Sequence, residues 1–560
     1  NTAARIQSVA EPGSVFVGDG TVRATEHAFR FEAVGAQQMK GKAAPVPVWR
    51  TVGPIVTEAV GRRAGALETP FVGRDDELGR LKDVFLATQR DRRVRLVSVI
   101  GPGGSGKTRL AWEFLRFADS LDEIVWWHAG RCPAYGDRVS FWALGEMVRQ
   151  RCFLLEDDDA ATTRERVAAT LEALVEDADE RRWIERSVLA LFGLERGVSA
   201  DQLFAGWRAL FERTARLGPV VMVFEDLHNA DPGLVAFIDH MVENVRGVPL
   251  LILTLARPAL LERYPTWGAG KRNFTSLDLD ALPPEGMRTL LTGLVPGLPD
   301  GARDAIVARA EGVPLYAVET VRMLLAEGRL EIRDGVCAPV GDLSTLSVPE
   351  SLTALIASHL DALEPAQRAL VADASVLGQA FPTDALAAVS GLPDAVLALR
   401  LAALVRAGIL VIDEDPRSPT RGQHLFAQGL VREVAYRTLA RRDRLARHLA
   451  VARWLEASGT DETAGILAEQ YLAAWQNSPK DAARDDLAAR ARALLRIGAD
   501  RATSLGSDAQ ALAFLQAALS VEPPPAERAE LLGLAAGAAD RAGRFEDAER
   551  LAAESTAAAG

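Results

Sequence analysis

Apolar and polar positions follow different patterns in successive parts of the chain. Between residues 70 and 257, short apolar runs rich in β-branched residues alternate with stretches of helical periodicity. This alternation predicts an α/β domain with a parallel sheet. Its predicted strands are residues 94–100, 124–129, 220–224 and 250–255. Residues 137–215 predict a long helical insertion between the second and the third of these strands.

The N-terminal segment has a different pattern. Residues 1–50 alternate short strands and turns, which indicates a small α+β unit. Residues 46–49 predict an edge strand, because prolines are tolerated mainly at sheet edges. Residues 51–69 have mixed polarity and few large apolar side chains, so we interpret them as a linker.

Helical periodicity dominates the C-terminal half of the chain. Residues 275–335 predict helices, and residues 346–455 predict a mainly helical module with a short hairpin near residues 408–412. In the purely helical stretch 463–560, Gly506 and Gly543 stand in similar contexts 37 residues apart. Helix–turn–helix repeats of the tetratricopeptide type have about this period. An unspecialised helical bundle is the alternative.

Composition limits the classes of function. A chain of 560 residues contains several domains, and its net charge of −12 argues against a chain-wide nucleic-acid binder. Its three cysteines form no disulfide or metal pattern, which fits a reduced cytoplasm. The longest apolar stretch is about half as long as a membrane helix, so we expect no membrane partner. The first residue is Asn1, and we expect a fragment of a longer protein, cut at both ends.

A phosphate-binding motif follows the first predicted strand of the α/β domain. Residues 101–108 read GPGGSGKT, and their lysine is one of only six in the chain. The glycines let backbone N–H groups surround phosphates, the lysine reaches the β- and γ-oxygens, and the threonine hydroxyl binds Mg²⁺. A helical pattern follows at once, so the phosphates lie at the positive end of a helix. The predicted ATP-binding residues are Gly101, Gly103, Gly104, Ser105, Gly106, Lys107 and Thr108.

Two acids follow the third predicted strand. Glu225 and Asp226 come directly after the apolar run 220–224, which is the arrangement of a Walker B motif. One carboxylate then holds Mg²⁺ and the other orients the attacking water. We therefore predict Mg²⁺ ligation by Thr108, Glu225 and Asp226. Arg257 ends the next strand, where its cation could contact the γ-phosphate.

These motifs, in this order, resemble the signal-transduction (STAND) branch of AAA-type ATPases. The resemblance covers residues 71–78, the phosphate loop, the EDLHNAD stretch at 225–231, Arg257-Pro258 and the EGVPLY stretch at 311–316. It implies an adenine pocket, with Glu225 at the magnesium position, Asp226 at the catalytic position and Arg257 as the γ-phosphate sensor. The residues implied for that pocket are Phe71, Val72, Arg74 and Pro314. The family usually has Trp where Asn229 stands.

Two further segments resemble parts of known families. Residues 346–455 are similar to the winged-helix module that follows the ATPase in STAND proteins, with Gln428 where a histidine often contacts the β-phosphate of ADP. Residues 1–50 resemble the end of a class III nucleotide cyclase. This implies transition-state roles for Asn1 and Arg5 and triphosphate contacts from Lys40 or Lys42. It also implies a homodimer through the cyclase domain, whose metal-binding aspartates would lie upstream. A small α+β domain with incidental Asn and Arg is the alternative.

Together these observations predict a multidomain, cytoplasmic signalling protein. An ATP- and Mg²⁺-dependent switch with slow turnover is fused to a cyclase, and its repeats bind a protein or small-molecule effector. The competing hypothesis is a transcriptional regulator with a DNA-binding module beyond Gly560. A scaffold with a degenerate ATPase is disfavoured because both phosphate-site motifs are intact. The predicted segments are the cyclase end 1–50, the linker 51–69, the ATPase core 70–270, the helical lid 271–345, the winged-helix-like module 346–455 and the repeats 456–560.

An arginine-rich stretch bears on the choice between these hypotheses. Residues 416–453 contain nine arginines and only two acids. A winged helix with this composition invites a DNA-binding interpretation. A solvated helix face or an interdomain contact is the interpretation we favour, and we do not expect a nucleic-acid partner.

Overall fold

The fold is taken from a computed structural model of the chain. It describes residues 6, 10, 15–18, 21–22, 29–37, 45–54, 69–121, 123–133, 140–156, 158–333, 336–341, 343, 349–415, 418–458, 464–480 and 482–559.

The described strands are β1 Val15–Gly18, β2 Phe29–Gln37, β3 Val46–Pro54, β4 Arg95–Ile100, β5 Trp126–Arg131, β6 Val220–Glu225, β7 Leu250–Ala256, β8 Phe274–Asp278, β9 Leu330–Arg333, β10 Val336–Pro339, β11 Ala380–Phe381, β12 Leu410–Ile412 and β13 His424–Phe426. The described α-helices are α1 Asp75–Asp91, α2 Lys107–Asp119, α3 Trp142–Cys152, α4 Ala160–Leu174, α5 Ala178–Leu191, α6 Ala200–Thr214, α7 Pro232–Asn244, α8 Ala259–Arg263, α9 Pro284–Leu294, α10 Asp300–Ala310, α11 Pro314–Ala326, α12 Leu352–Asp361, α13 Pro365–Ser375, α14 Thr383–Ser390, α15 Asp394–Arg406, α16 Gly429–Thr438, α17 Arg441–Ser458, α18 Ala464–Asn477, α19 Ala482–Ser504, α20 Asp508–Ser520, α21 Pro525–Arg541 and α22 Phe545–Ala559.

The first three strands form an antiparallel sheet in the order β1-β3-β2. The prediction of an edge strand at residues 46–49 is wrong, because they belong to β3, the central strand. Among the described strands, Pro47 is paired on one side only, with β2, because the described part of β1 ends at Gly18, opposite Val48. β3 also continues to Pro54, so the predicted linker begins within a strand.

A five-stranded parallel sheet in the order β5-β6-β7-β4-β8 forms the centre of the α/β domain. The four predicted strands are confirmed within two residues of their predicted bounds. The prediction of helices over residues 275–335 is wrong at both ends, where β8 and the hairpin of β9 and β10 lie. β8 is an edge strand with the sequence FTSLD, so it lacks the continuous apolar run by which a buried strand is recognised.

Side chains on the two faces of this sheet belong to two separate apolar cores. Val97, Val99 and Val221 pack with α1 and α2 on one face, around Phe85 and Phe114. On the other face, a larger core joins the sheet to the insertion helices α3–α6 and to α7; its sheet residues include Leu96, Met222, Phe224 and Ile252, and its helix residues include Trp207 and Phe211. The alternation of strand side chains between two faces therefore fixes where the insertion docks.

The C-terminal half is mainly helical. α9–α11 pack around one core, and α12–α16 pack around another together with the sheet β11-β13-β12. The predicted hairpin near residues 408–412 is confirmed, since β12 and β13 pair antiparallel. α17–α22 stack in chain order, each packing on the next. In the described part of the chain, no helix alone has the length and apolar character of a membrane span, and the pair α14 and α15, which has them together, is bent by 111°.

Arginines of the stretch 416–453 contact other parts of the protein. Arg447 donates to Asp373 at 2.7 Å, Arg432 to the carbonyl of Ser375 at 3.2 Å, and Arg441 to the carbonyl of Gln476 at 2.8 Å. Arg444 lies over the ring of Tyr436, 4.8 Å from its centre. The contacts of Arg432, Arg444 and Arg447 stay within the predicted module 346–455. The contact of Arg441 with Gln476 in α18 reaches the next predicted segment, so the interpretation as an interdomain contact is supported for Arg441.

The stacked C-terminal helices also touch the α/β domain. A Cβ atom added to Gly506 would lie 2.2 Å from the Cβ of Ala200, the first residue of α6, and one added to Gly233 would lie 2.4 Å from the Oγ of Ser507. Arg501 donates to the carbonyl of Leu191 at 2.8 Å. The turn between α19 and α20 is therefore packed closely against the insertion and the start of α7.

Gly506→Ala is expected to weaken this docking by about 1–3 kcal/mol more than Gly543→Ala does. The two glycines have φ of +73° and +72°, so both variants carry the same left-handed strain. Only Gly506 meets a neighbour, since a Cβ on Gly543 would point into open space. Hydrogen exchange in α6 and α20 measures the difference, and equally fast exchange in the two variants would contradict a role for the close approach.

Candidate nucleotide site

The carboxyl ends of four parallel strands place the predicted site residues in a row. Because β7 lies between β4 and β6, the tip of β7 separates the phosphate loop from the two acids. Along this edge the order is Arg131 at the end of β5, Glu225 at the end of β6 followed by Asp226, Arg257 after β7, and the phosphate loop after β4. The carboxyl edge of an open parallel sheet is the usual place for a ligand.

The phosphate loop has the geometry of an anion cradle. Gly104 and Gly106 have φ of +81° and +98°, values that other residues rarely adopt. Lys107 begins α2, and its Nζ donates to the carbonyls of Gly101 and Pro102, at 2.8 Å each. The Oγ of Ser105 is buried and makes no hydrogen bond in the described structure. A cradle of this shape with an unsatisfied hydroxyl at a helix N-terminus fits a phosphate group.

The ammonium group of Lys107 is electrostatically perturbed. Burial lowers its pKa to about 8, an effect that Asp226 opposes and Arg257 reinforces. The three charged groups therefore lie within electrostatic range of each other, although they come from three different strand ends. A phosphate placed among them would favour the charged form of Lys107.

The two acids are held by an arginine that the sequence patterns did not single out. Arg131 Nε donates to Glu225 Oε2 at 3.1 Å, a second nitrogen of the same guanidinium bonds the same oxygen, and Asp226 Oδ2 lies 3.7 Å from Nε. Asp226 has φ of +53° and is 42% exposed, whereas Glu225 is 20% exposed. The more accessible carboxylate is thus the one at the predicted catalytic position.

A third carboxylate lies beside Arg131. Glu146 of α3 accepts a hydrogen bond from the Arg131 backbone N–H at 2.6 Å, and burial raises its pKa to about 7. Arg131 and Glu146 lie beside the acids because β5 pairs with β6, so that the ends of these two strands are neighbours. A single sequence does not contain that order, so neither Arg131 nor Glu146 was predicted.

The predicted magnesium ligands have the right chemistry. Mg²⁺ prefers oxygen ligands and usually keeps waters and substrate phosphates in its shell. The hydroxyl of Thr108, which is exposed at the start of α2, and the two carboxylates of Glu225 and Asp226 would supply such oxygens. Within the described residues there is no group of three or more His, Cys, Asp or Glu that could hold a metal by itself. A site completed by phosphate oxygens and water is therefore the kind that these residues fit.

Arg257 lies between the phosphate loop and a helix of the C-terminal half. A Cβ added to Gly103 would lie 3.9 Å from its guanidinium carbon. Its Nη2 donates to Glu433 Oε1 of α16 at 3.0 Å, and its backbone N–H donates to His228 Nδ1 at 3.4 Å. Burial, with Arg257 and Lys107 nearby, lowers the pKa of His228 to about 4, so this ring is neutral at pH 7.

The residues implied for the adenine pocket lie between the α/β domain and the lid helices. Phe71 packs on the core under the sheet, and Val72 packs on the core of α9–α11. Arg74 is buried and donates to Glu77 at 2.9 Å and to the carbonyl of Asp280. Pro314 begins α11, and the next backbone N–H, of Leu315, donates to the carbonyl of Gly104 at 3.3 Å. The lid thus meets the phosphate loop directly.

The cyclase-like motifs cannot be placed in the same way. Asn1, Arg5, Lys40 and Lys42 all lie outside the described residues. Gln428 is described, and it is the N-cap residue of α16.

Comparison with known proteins defines the class of this domain. Residues 70–253 match the family model of the AAA ATPase domain, so this part of the chain is an AAA ATPase domain. The chain is 26% identical over 473 residues to an uncharacterized protein of Rhizobium meliloti (strain 1021). That alignment covers 80% of this chain and 43% of the relative, so the chain spans less than half of the relative's length.

Two solved structures are among those that are similar to parts of this chain. One is a Signal Transduction ATPase with Numerous Domains (STAND) protein with a tetratricopeptide repeat sensor from Pyrococcus horikoshii, at 15% identity and a TM-score of 0.43, covering 88% of this chain and 66% of that one. The other is the Aeropyrum pernix Orc1 protein in complex with DNA, at 17% identity and a TM-score of 0.31, covering 66% of this chain and 93% of that one.

The lowered pKa of Lys107 predicts a pH dependence of ATP binding. A bound polyphosphate raises this pKa above its value of about 8 in the free protein, so binding takes up a proton above pH 8. Affinity should then be highest below pH 8 and fall above it, approaching tenfold per pH unit. Titration with a fluorescent ATP analogue from pH 7 to 9.5 measures the slope.

The matched control for this pH dependence is Lys107→Arg, because a guanidinium stays charged over the whole range. We expect a flat profile for that variant even if its affinity is lower. The same slope in the wild-type protein and the arginine variant would assign the titration to another group.

Proposed function

We propose that this chain is an ATP-binding and slowly hydrolysing switch of the STAND type. The observation that carries the proposal is the convergence of Lys107, Asp226 and Arg257 at one sheet edge of an AAA ATPase domain. An anion cradle, an acidic pair and a cation from the intervening strand are the three parts that phosphoryl transfer requires. A scaffold without nucleotide chemistry would not need all three.

Each residue has a role in this proposal. The phosphate loop holds the triphosphate, and Lys107 neutralises its β- and γ-oxygens. Thr108 and Glu225 would hold Mg²⁺, which draws charge from the phosphates, and Asp226 orients the attacking water. Arg257 contacts the γ-phosphate. Adenine would lie near Val72 and Pro314, where the lid meets the phosphate loop.

The contacts between modules favour a switch over a simple hydrolase. α16 reaches Arg257, and the turn between α19 and α20 rests on α7, which follows the two acids. A near-complete change between two arrangements needs about 10⁴-fold different affinities for ATP and ADP, about 5.5 kcal/mol. Contacts of the γ-phosphate with Lys107, Mg²⁺ and Arg257 are of the kind that supplies such energies. An effector bound to α17–α22 would bias the equilibrium.

Lys107→Ala should lower ATP affinity at least tenfold, because it removes the cation that faces the β- and γ-phosphates. Lys480→Ala, which changes an exposed lysine between α18 and α19, is the matched control. A fluorescent ATP analogue measures the affinity. Unchanged ATP affinity in Lys107→Ala would contradict the assignment of the ATP site to the phosphate loop.

Asp226→Asn and Glu225→Gln should bind ATP but hydrolyse it about 10²–10³-fold more slowly, because each removes one acid from water activation or Mg²⁺ ligation. Single-turnover phosphate release measures the rate. Wild-type hydrolysis rates in both variants would indicate that the two acids serve only as structural partners of Arg131.

The cyclase assignment is a finer proposal that rests on the sequence resemblance of residues 1–50. Its test is the formation of a cyclic nucleotide by the full-length protein with Mg²⁺ or Mn²⁺, and its loss in Asn1→Ala and Arg5→Ala. A full-length protein that makes no cyclic nucleotide but binds DNA specifically would favour the alternative, a transcriptional regulator built on the same ATPase.

A further inference from the structure

An acidic side chain from outside the ATPase domain reaches the phosphate-sensing position. Glu433, in the middle of α16, accepts a hydrogen bond from Arg257 Nη2 at 3.0 Å. The two side chains are 28% and 36% exposed, so the ion pair lies at the rim of the site with partial access to solvent. His228, whose ring accepts a hydrogen bond from the backbone N–H of Arg257, is within electrostatic range of Glu433 as well.

We propose that Glu433 is an internal competitor of the γ-phosphate for Arg257 and thereby sets the preference of the site for ATP over ADP. The inference rests on the proposed function, since it concerns the nucleotide bound at that site. Arg257 pairs with the carboxylate when no γ-phosphate is present, and it exchanges this partner for the phosphate when ATP binds.

The chemistry of the two anions supports this exchange. A guanidinium presents one planar set of donors that suits a carboxylate or a phosphate equally well. The phosphate carries more charge, and Lys107 and the N-terminus of α2 attract it to the same place. A partly exposed ion pair is weak, so it can be replaced by a stronger anion. ADP brings no γ-phosphate and leaves the pair intact.

Glu433 cannot keep its contact with Arg257 by moving independently of its module. Its helix neighbours Val431, Val434 and Ala435 are buried in the core of α12–α16, which fixes α16 within that module. Arg432 is bonded to the carbonyl of Ser375 in the same module. When Arg257 turns to the γ-phosphate, the whole module loses this contact with the ATPase domain. The exchange therefore links nucleotide identity to the position of α12–α16.

The test is a comparison of ATP and ADP affinities in Glu433→Gln. Removing the competing charge should raise the affinity for a non-hydrolysable ATP analogue about tenfold and change ADP affinity less than about twofold. Asp443→Asn, which removes one exposed acid from the neighbouring α17, is the charge-matched control and should change neither affinity. Glu433→Asp, one methylene shorter, should give an intermediate preference and serves if the glutamine variant does not fold.

A double-mutant cycle with Arg257→Ala separates competition from a general charge effect. If Glu433 acts through Arg257, the gain in ATP affinity of Glu433→Gln should vanish when Arg257 is already alanine. An equal gain for ATP and ADP, or a gain that persists without Arg257, would overturn the competitor role while leaving ATP binding in place. Failure of the wild-type protein to bind ATP would overturn the proposed function and this inference with it.

Discussion

The order of the parallel strands is the constraint on which the candidate site depends. With β7 between β4 and β6, the cation at the end of β7 stands between the phosphate loop and the acidic pair. A different order would leave Arg257 at the outside of the sheet or would join the acids directly to the loop. The order also places β5 beside β6, so that Arg131 faces the acids from the far side. Arg131 and Arg257, from the two strands that flank β6, therefore lie on either side of the acids at its end.

Each of three cations at this edge already has hydrogen-bond partners within the protein. Lys107 bonds two carbonyls of its own loop, Arg131 bonds Glu225, and Arg257 bonds Glu433. A polyanion that binds in the cradle must replace some of the present hydrogen-bond partners of these cations. The lysine can be released without moving any other element, because its partners lie within the loop, and Arg131 faces the acids from the other side. Among these described pairs, the one between Arg257 and Glu433 alone crosses to another module.

How much of the fold and of the candidate site could be predicted depended on how far apart in sequence the residues that form each feature lie. The phosphate loop, the acidic pair and four of the five parallel strands are local patterns, and the sequence predicts them because backbone geometry and apolar runs need only neighbouring residues. β8 escaped prediction because an edge strand needs few apolar residues. Arg131, Glu146 and Glu433 escaped because their significance comes from the order of strands and the docking of α16. An arginine or a glutamate in isolation is typical of any surface.

The contact between the stacked helices α17–α22 and the α/β domain lies close along the chain to the acids. Ser507 rests on Gly233, which belongs to the first turn of α7, and Asp231 caps that helix by accepting a hydrogen bond from Leu234 N–H at 3.0 Å. The other oxygen of Asp231 accepts from the backbone N–H of Phe141 at 3.0 Å. Only four residues lie between Asp226 and Asp231, and a short 3₁₀ turn contains three of them.

This segment is hydrogen-bonded within itself, from the Asn229 N–H to the Asp226 carbonyl at 2.8 Å and from the Ala230 N–H to the Leu227 carbonyl at 2.9 Å, so we expect a displacement of α7 to move the acids with it. Any ligand that shifts α20 relative to α7 would therefore change the position of the acids. By linkage, if such a ligand binds α17–α22, a nucleotide that repositions the acids would change its affinity by the same factor. The coupling needs no long pathway, because the turn between α19 and α20 contacts Gly233, which follows the acids at 225–226 along the same stretch of chain.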